Sequence, residues 1–233
     1  MKPRLNNIFA LCCALAAGYF FYTYAAGRDN FFTRHVQYQR EHAQAKIKLI
    51  QLNYLIPSFK NMADFARGEN APADIDWNQY IPYFEKVAEL MPQRWDVYVF
   101  LGHCYYHQKR KDLATVSFQK AVLLNPPSFW AYYDLGVLAA QEGNCPAAAA
   151  GLAQALAISP QAAAQSMYAS KLYLDVRAAA ADFDRLAEQH LKEGYLSAYR
   201  LGTLAARCAQ GTADARQLQD LRALALDAPV QVF

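Results

Sequence analysis

Residues 98–126 read YVFLGHCYYHQKRKDLATVSFQKAVLLNP, and residues 132–160 read YYDLGVLAAQEGNCPAAAAGLAQALAISP. Set one above the other, the two stretches agree at eight points. Tyr98, Leu101, Gly102, Tyr105, Ala114, Phe118, Ala121 and Pro126 each have a counterpart 34 positions on: Tyr132, Leu135, Gly136, Ala139, Ala148, Leu152, Ala155 and Pro160. Leu101 and Tyr105 stand four apart, as do Ala114 and Phe118, so each pair shares one helix face. Gly102 and Gly136 carry no side chain and let a second helix close in. Ala114 and Ala121 keep that contact tight, and Pro126 and Pro160 end the second helix by removing a donor and crowding the preceding turn. Each stretch therefore predicts an antiparallel helix hairpin, and such hairpins bury their apolar faces by stacking.

The eight points and the 34-residue period resemble the tetratricopeptide repeat (TPR) family over residues 95–160. The resemblance implies an all-α, TPR-like helical-hairpin solenoid with full repeats at 95–128 and 129–162. The first repeat departs from the family at its internal turn. Lys109 and Arg110 stand where the second repeat keeps Gly143 and Asn144, which asks a non-glycine residue to take a positive φ. Upstream, Tyr80, Phe84, Val87 and Pro92 lie 34 before Ala114, Phe118, Ala121 and Pro126, so 77–93 reads as a half-repeat that pairs with segment 30–65. Downstream, Ala169 and Ser170 lie 34 after Leu135 and Gly136, and Leu201-Gly202 follows 32 later. Degenerate repeats are expected at 161–192 and 195–226, with Gly194 and Gly211 as helix stops.

The N-terminal run Ile8–Ala26 holds no charge over 19 residues, close to the ~30 Å of a hydrocarbon core. Lys2 and Arg4 precede it and Arg28 follows. Ile8, Phe9, Leu11, Leu15, Tyr19, Phe20, Phe21 and Tyr22 are the candidate anchor residues of a single transmembrane helix spanning 1–28, with tyrosines gathered at the distal interface. A cleaved signal peptide ending near Ala25 or Ala26 is the alternative. Residues 29–66 predict a helical stalk or N-terminal cap, with Val36, Ala43, Ile47, Ile50 and Tyr54 as its apolar stripe. Residues 67–76 form a polar loop, 77–226 the solenoid and 227–233 an apolar tail.

With 55% hydrophobic and 18% charged residues the chain can bury a sizeable core, and a net charge of +3 with no basic stripe gives no reason to expect nucleic acid. The cysteines show no CxxC or zinc spacing, and Cys104, Cys145 and Cys208 are expected as small buried hydrophobes. His103 and His107 share a helix face but lack a third metal ligand at a recognisable spacing. Phosphate loops, nucleophile elbows and HExxH are absent from the sequence. The expectation is a non-enzymatic chain without cofactor, metal or small-molecule substrate. The densest basic cluster, Lys109 to Lys111, reads as a solvated cap or a contact for an acidic surface.

The TPR family lines its concave face with the first helix of each hairpin. Carried onto this chain, the resemblance implies a partner-binding groove of Asp96, Val99, His103, Tyr106 and His107, then Trp130, Tyr133, Val137, Ala140 and Gln141. Val99, His103 and Val137 replace the Lys and Asn of the family's carboxylate clamp, which disfavours chaperone-tail recognition. Tyr106, Trp130 and Tyr133 suit an apolar or helical protein ligand. A segment of the chain itself, such as the 30–56 helix, could fill the groove instead. The expected function is a membrane-anchored scaffold or accessory subunit for a membrane-associated protein partner, its domain on the extracytoplasmic (periplasmic) side. A soluble periplasmic or secreted module, freed by signal cleavage, is the alternative.

Overall fold

The structure is a computed structural model and describes residues 15, 17–19, 22, 26, 33–44, 78, 80–171 and 183–228. The described residues are helical, with no strand among them, so the all-α expectation holds. In chain order the elements are α1 (Ile81–Leu90), α2 (Trp95–His107), α3 (Lys111–Leu124), α4 (Phe129–Gln141), α5 (Cys145–Ala157), α6 (Pro160–Ala169), α7 (Phe183–Ala209) and α8 (Ala215–Asp227).

The hairpins α2–α3 and α4–α5 form where the 34-residue pattern puts them, and α3 packs on α4 between them. Their contacts follow from the glycines. A Cβ placed at Gly102 would stand 2.5 Å from the Phe118 ring, and one at Gly136 would stand 2.6 Å from Leu152 Cγ. Gly151 and Gly136 also bring the two backbones of the second hairpin together, 2.9 Å separating a Gly151 Cβ from the Gly136 nitrogen. Phe118 and Leu152 are fully buried there. The α2–α3 turn does take the strained conformation expected of it, with Lys109 at φ 59°, where the α4–α5 turn uses Gly143 at φ 75°. Helix starts are fixed locally. Asn144 and Ser159 accept from the backbone of Ala147 and Ala162, and Asp214 with Gln217 completes a capping box on α8.

Within the stretch read as a half-repeat a helix forms, α1, which packs on α2 with Phe84 and Phe100 ring centroids 4.5 Å apart. Most of segment 30–65, its expected partner, lies outside the described residues. Residues 33–44 are helical. Their contact with the core is made by Tyr38, which is buried and accepts a hydrogen bond from Arg94 Nη1. Val36 and Ala43, expected on the buried stripe, are exposed, because the helix turns the Tyr38 side inward. Ile47, Ile50 and Tyr54 lie outside the described residues, as do the 67–76 loop and residues 229–233 of the tail.

Past Pro160 the chain departs from the period. Helix α6 ends at Ala169, so Ala169-Ser170 does not sit inside a first helix as Leu135-Gly136 does. Helix α7 is 27 residues long and runs straight through Gly194, which was expected to stop a helix. The glycine is needed for a different reason: a Cβ at 194 would come within 2.3 Å of Trp130 Cη2. Gly211 does end α7, at φ 70°. Helix α7 packs along α5 and also touches α4 and α8, while α8 reaches back to α4.

A disulfide joins Cys145, at the start of α5, to Cys208, near the end of α7, with Cα atoms 5.7 Å apart. That corrects the expectation of three inert cysteines. Among the described residues Cys104 is the free cysteine, fully buried, with burial pushing its thiol pKa up. A cross-link over 63 residues restricts the unfolded chain by about 4 kcal/mol in the loop-entropy account.

Among the described residues no helix is long and apolar enough to cross a membrane. Of the candidate anchor residues, Leu15, Tyr19 and Tyr22 are described, helical and exposed. Ile8, Phe9, Leu11, Phe20 and Phe21 lie outside the described residues.

Candidate functional site

The residues expected to line an open groove lie on α2 and α4, joined at Tyr106 and Gln141, and the C-terminal half of the chain packs on several of them. Asp96, Val99, His103, Trp130, Tyr133, Val137 and Ala140 are all buried, and Tyr106, His107 and Gln141 are partly so. Residues 170–171 meet Asp96, α7 meets Trp130 and Tyr133, and the end of α8 meets Gln141. Residues 45–56 of the 30–56 segment lie outside the described residues.

At one end Asp96 forms an ion pair with Arg94, and its carboxylate accepts from Ser170 Oγ at 3.1 Å and Lys171 N at 3.2 Å. The same carboxylate accepts from Val97 N at 3.1 Å, near the start of α2, where a negative charge meets the helix dipole favourably. Arg94 in turn holds Tyr38, so one buried ion pair ties the N-terminal helical residues, α2 and the end of α6 together. Such a pair fixes geometry more than it adds net stability, and removing one partner strands the other charge.

In the middle, α7 lies over α4. The His190 ring stacks on the Trp130 ring, centroids 4.3 Å apart and planes 18° from parallel. Gly194 admits the edge of that indole against the helix backbone. Three residues on, Ser197 Oγ hydrogen-bonds Tyr133 Oη at 2.8 Å. Tyr195 stacks on Phe129 at 4.3 Å and donates to the Ile158 carbonyl. Burial pushes the pKa of Tyr133 up to about 12, with Ser197 pulling weakly the other way. Trp130 is 3% exposed, and its Nε1 has no acceptor among the described residues. A buried donor left so costs on the order of 1–3 kcal/mol.

At the far end Gln141 Nε2 donates to the Ala225 carbonyl at 2.8 Å and to Tyr106 Oη at 3.1 Å, while its Oε1 accepts from Lys111 Nζ at 2.8 Å. Part of the basic cluster is thereby absorbed: Lys111 holds Gln141 and Arg110 lies over the Tyr105 ring at 5.1 Å. Lys109 is exposed at its turn.

His103 and His107 do share a face, with ring centroids 4.4 Å apart in an edge-to-face arrangement. Among the described residues no group of three or more His, Cys, Asp or Glu is placed to hold a metal ion. Burial lowers the His107 pKa to about 4, which keeps that ring neutral at ordinary pH.

Sequence reasoning missed Arg94, Ser170, His190, Ser197 and the Cys145–Cys208 pair. The three cysteines outside the N-terminal run are odd in number and their spacing carries no pairing rule, so nothing in the sequence singled out that pair. Gly194 did carry a signal: a glycine flanked by helix formers on both sides marks a close approach as readily as a stop.

Chemically, the closed groove is a packed aromatic face under a helix, with a buried ion pair at one end and an amide network at the other. No family model matches the chain, and a comparison with curated proteins finds no relative.

Proposed function

We propose that this chain is a TPR-like interaction scaffold held at a membrane by its N-terminal apolar run, with the folded domain on the extracytoplasmic side. The observation that carries the reading is the pair of 34-residue hairpins, each with a bulky residue of its second helix seated on a glycine of its first. Units of that kind stack into solenoids and present long faces to other proteins rather than compact pockets for small molecules. The Cys145–Cys208 disulfide supports the side of the membrane, because such cross-links persist in oxidising compartments and are rare in reducing ones. The uncharged run Ile8–Ala26, with basic residues before it, supports the anchor. The partner in this reading is a membrane-associated protein, and no cofactor or nucleic acid takes part.

The test is mild detergent extraction of the full chain from its native membrane, followed by affinity capture through a C-terminal tag. Recovery of a stoichiometric membrane protein supports the reading, and a lone monodisperse monomer contradicts it. Intact mass on the same sample decides between anchor and released module: a retained Met1 or Lys2 supports the anchor, and a start near Ala26 or Gly27 supports the soluble form.

A further inference from the structure

The helix that covers the groove fits it incompletely. Trp130 offers an in-plane N–H that finds no acceptor among the described residues, although buried Trp usually secures one. The His190 ring stacked above it covers the π face, and Gly194 covers an edge with bare backbone. Among the residues of the first half of α7 whose burial is described, small ones stand at three of the five buried positions, Ala187, Gly194 and Ala198 beside His190 and Leu191. The aromatic contact besides His190 is Tyr195 on Phe129. The second half is held covalently, through Cys208 to Cys145 on α5. One half of a single helix is therefore fixed, and the other rests on an aromatic floor that it leaves partly unsatisfied.

We propose that residues 183–197 of α7 are an autoinhibitory occupant, and that the face beneath them is the docking site for a helix of a protein partner. The present occupant states the chemistry of the incoming one. The partner helix carries a glycine or alanine over Trp130 and a hydroxyl three residues later over Tyr133, as Gly194 and Ser197 do. It adds an acceptor for the indole N–H, which α7 does not supply. Displacement hinges near residue 198, and the disulfide keeps the rest of α7 on α5. The inference rests on the scaffold reading for its biological role, since it makes the concave face the partner surface.

The probe is a fluorescent synthetic peptide of residues 183–200, FDRLAEQHLKEGYLSAYR, added to the full-length protein. Gly194→Leu in the protein drives a side chain into the space of the indole and lifts the covering half. The peptide is expected to bind that variant at least tenfold more tightly than wild type, and a peptide carrying the same Gly194→Leu change binds neither. In unmodified protein, amides of 187–197 should exchange hydrogen at least tenfold faster than those of α4 and α5, through a local opening. No peptide binding by a variant with native helical content overturns the proposal. So does wild-type exchange in 187–197 that occurs only with global unfolding, a result that needs no variant. If the peptide binds but no membrane partner co-purifies, the groove stands and the membrane-complex role falls. The reverse pair of results removes the groove and leaves the scaffold.

Discussion

In α2–α5 a bulky side chain of the second helix sits on a glycine of the first, Phe118 over Gly102 and Leu152 over Gly136; in α7 the corresponding glycine, Gly202, meets Leu152 of the preceding hairpin instead, at 3.4 Å. The first region is built from neighbours in sequence. The second is built by return: Asp96 to Ser170, Tyr133 to Ser197 and Gln141 to Ala225 are separated by 74, 64 and 84 residues. Both regions use a Leu-Gly step, but it closes a hairpin in one and a tertiary interface in the other. A short motif therefore marks a close helix approach without saying which helix approaches.

The largest expected effect lies where the two regions meet. Trp130→Ala removes a buried ring that α7 covers, and should cost about 3–5 kcal/mol of stability in denaturant unfolding. A change below about 1 kcal/mol would mean that α7 does not cover the floor in solution, and the contrast drawn between the regions would fail.

That prediction also shows what was legible in the residues. The eight-point pattern fixed helix ends and partners across α2–α5, because those contacts recur every 34 residues and leave a period. The helix α1 within the half-repeat stretch was legible for the same reason. Asp96, His103, Trp130 and Tyr133, expected to line an open groove, are buried, and Gln141 is partly so. The packing of α7 on Trp130 and Tyr133 was not legible, because it runs through Gly194, His190 and Ser197, residues that carry no large apolar signal. Nor does a contact made once, at a separation of 64 or 84, repeat anywhere along the chain.

Acid should act through His107. Its pKa is depressed by burial to about 4, from about 6.5 in the unfolded chain. The fold thus favours the neutral ring, and its contribution is complete above pH 6.5. It is lost as the pH falls from 6.5 towards 4, where the unfolded chain binds the proton and the native one does not. Stability at pH 4 should be lower than at pH 7 by on the order of 3 kcal/mol from this group. Unfolding curves of wild type and His107→Gln across that range check it: the variant should lose that part of the acid slope, and parallel curves would contradict the assignment.

The smallest effects separate the two uses of glycine. Gly136→Ala pushes a methyl into Leu152 and the neighbouring backbone and should cost about 1–3 kcal/mol. Gly202→Ala meets only ordinary contact distances and replaces a helical glycine, so it should stabilise by about 0.5–1 kcal/mol. Thermal melts of the two variants side by side should move in opposite directions. Equal destabilisation would mean that α7 sits as tightly on α5 as α4 does.

The central claim is that α7 folds back on the paired hairpins and is fixed there by the Cys145–Cys208 disulfide. Non-reducing proteolysis with mass spectrometry of the natively expressed protein tests it most directly. The account predicts one linked pair of peptides containing Cys145 and Cys208, with Cys104 alkylated only after unfolding. Free thiols at both Cys145 and Cys208, or either of them joined to Cys104, would contradict it.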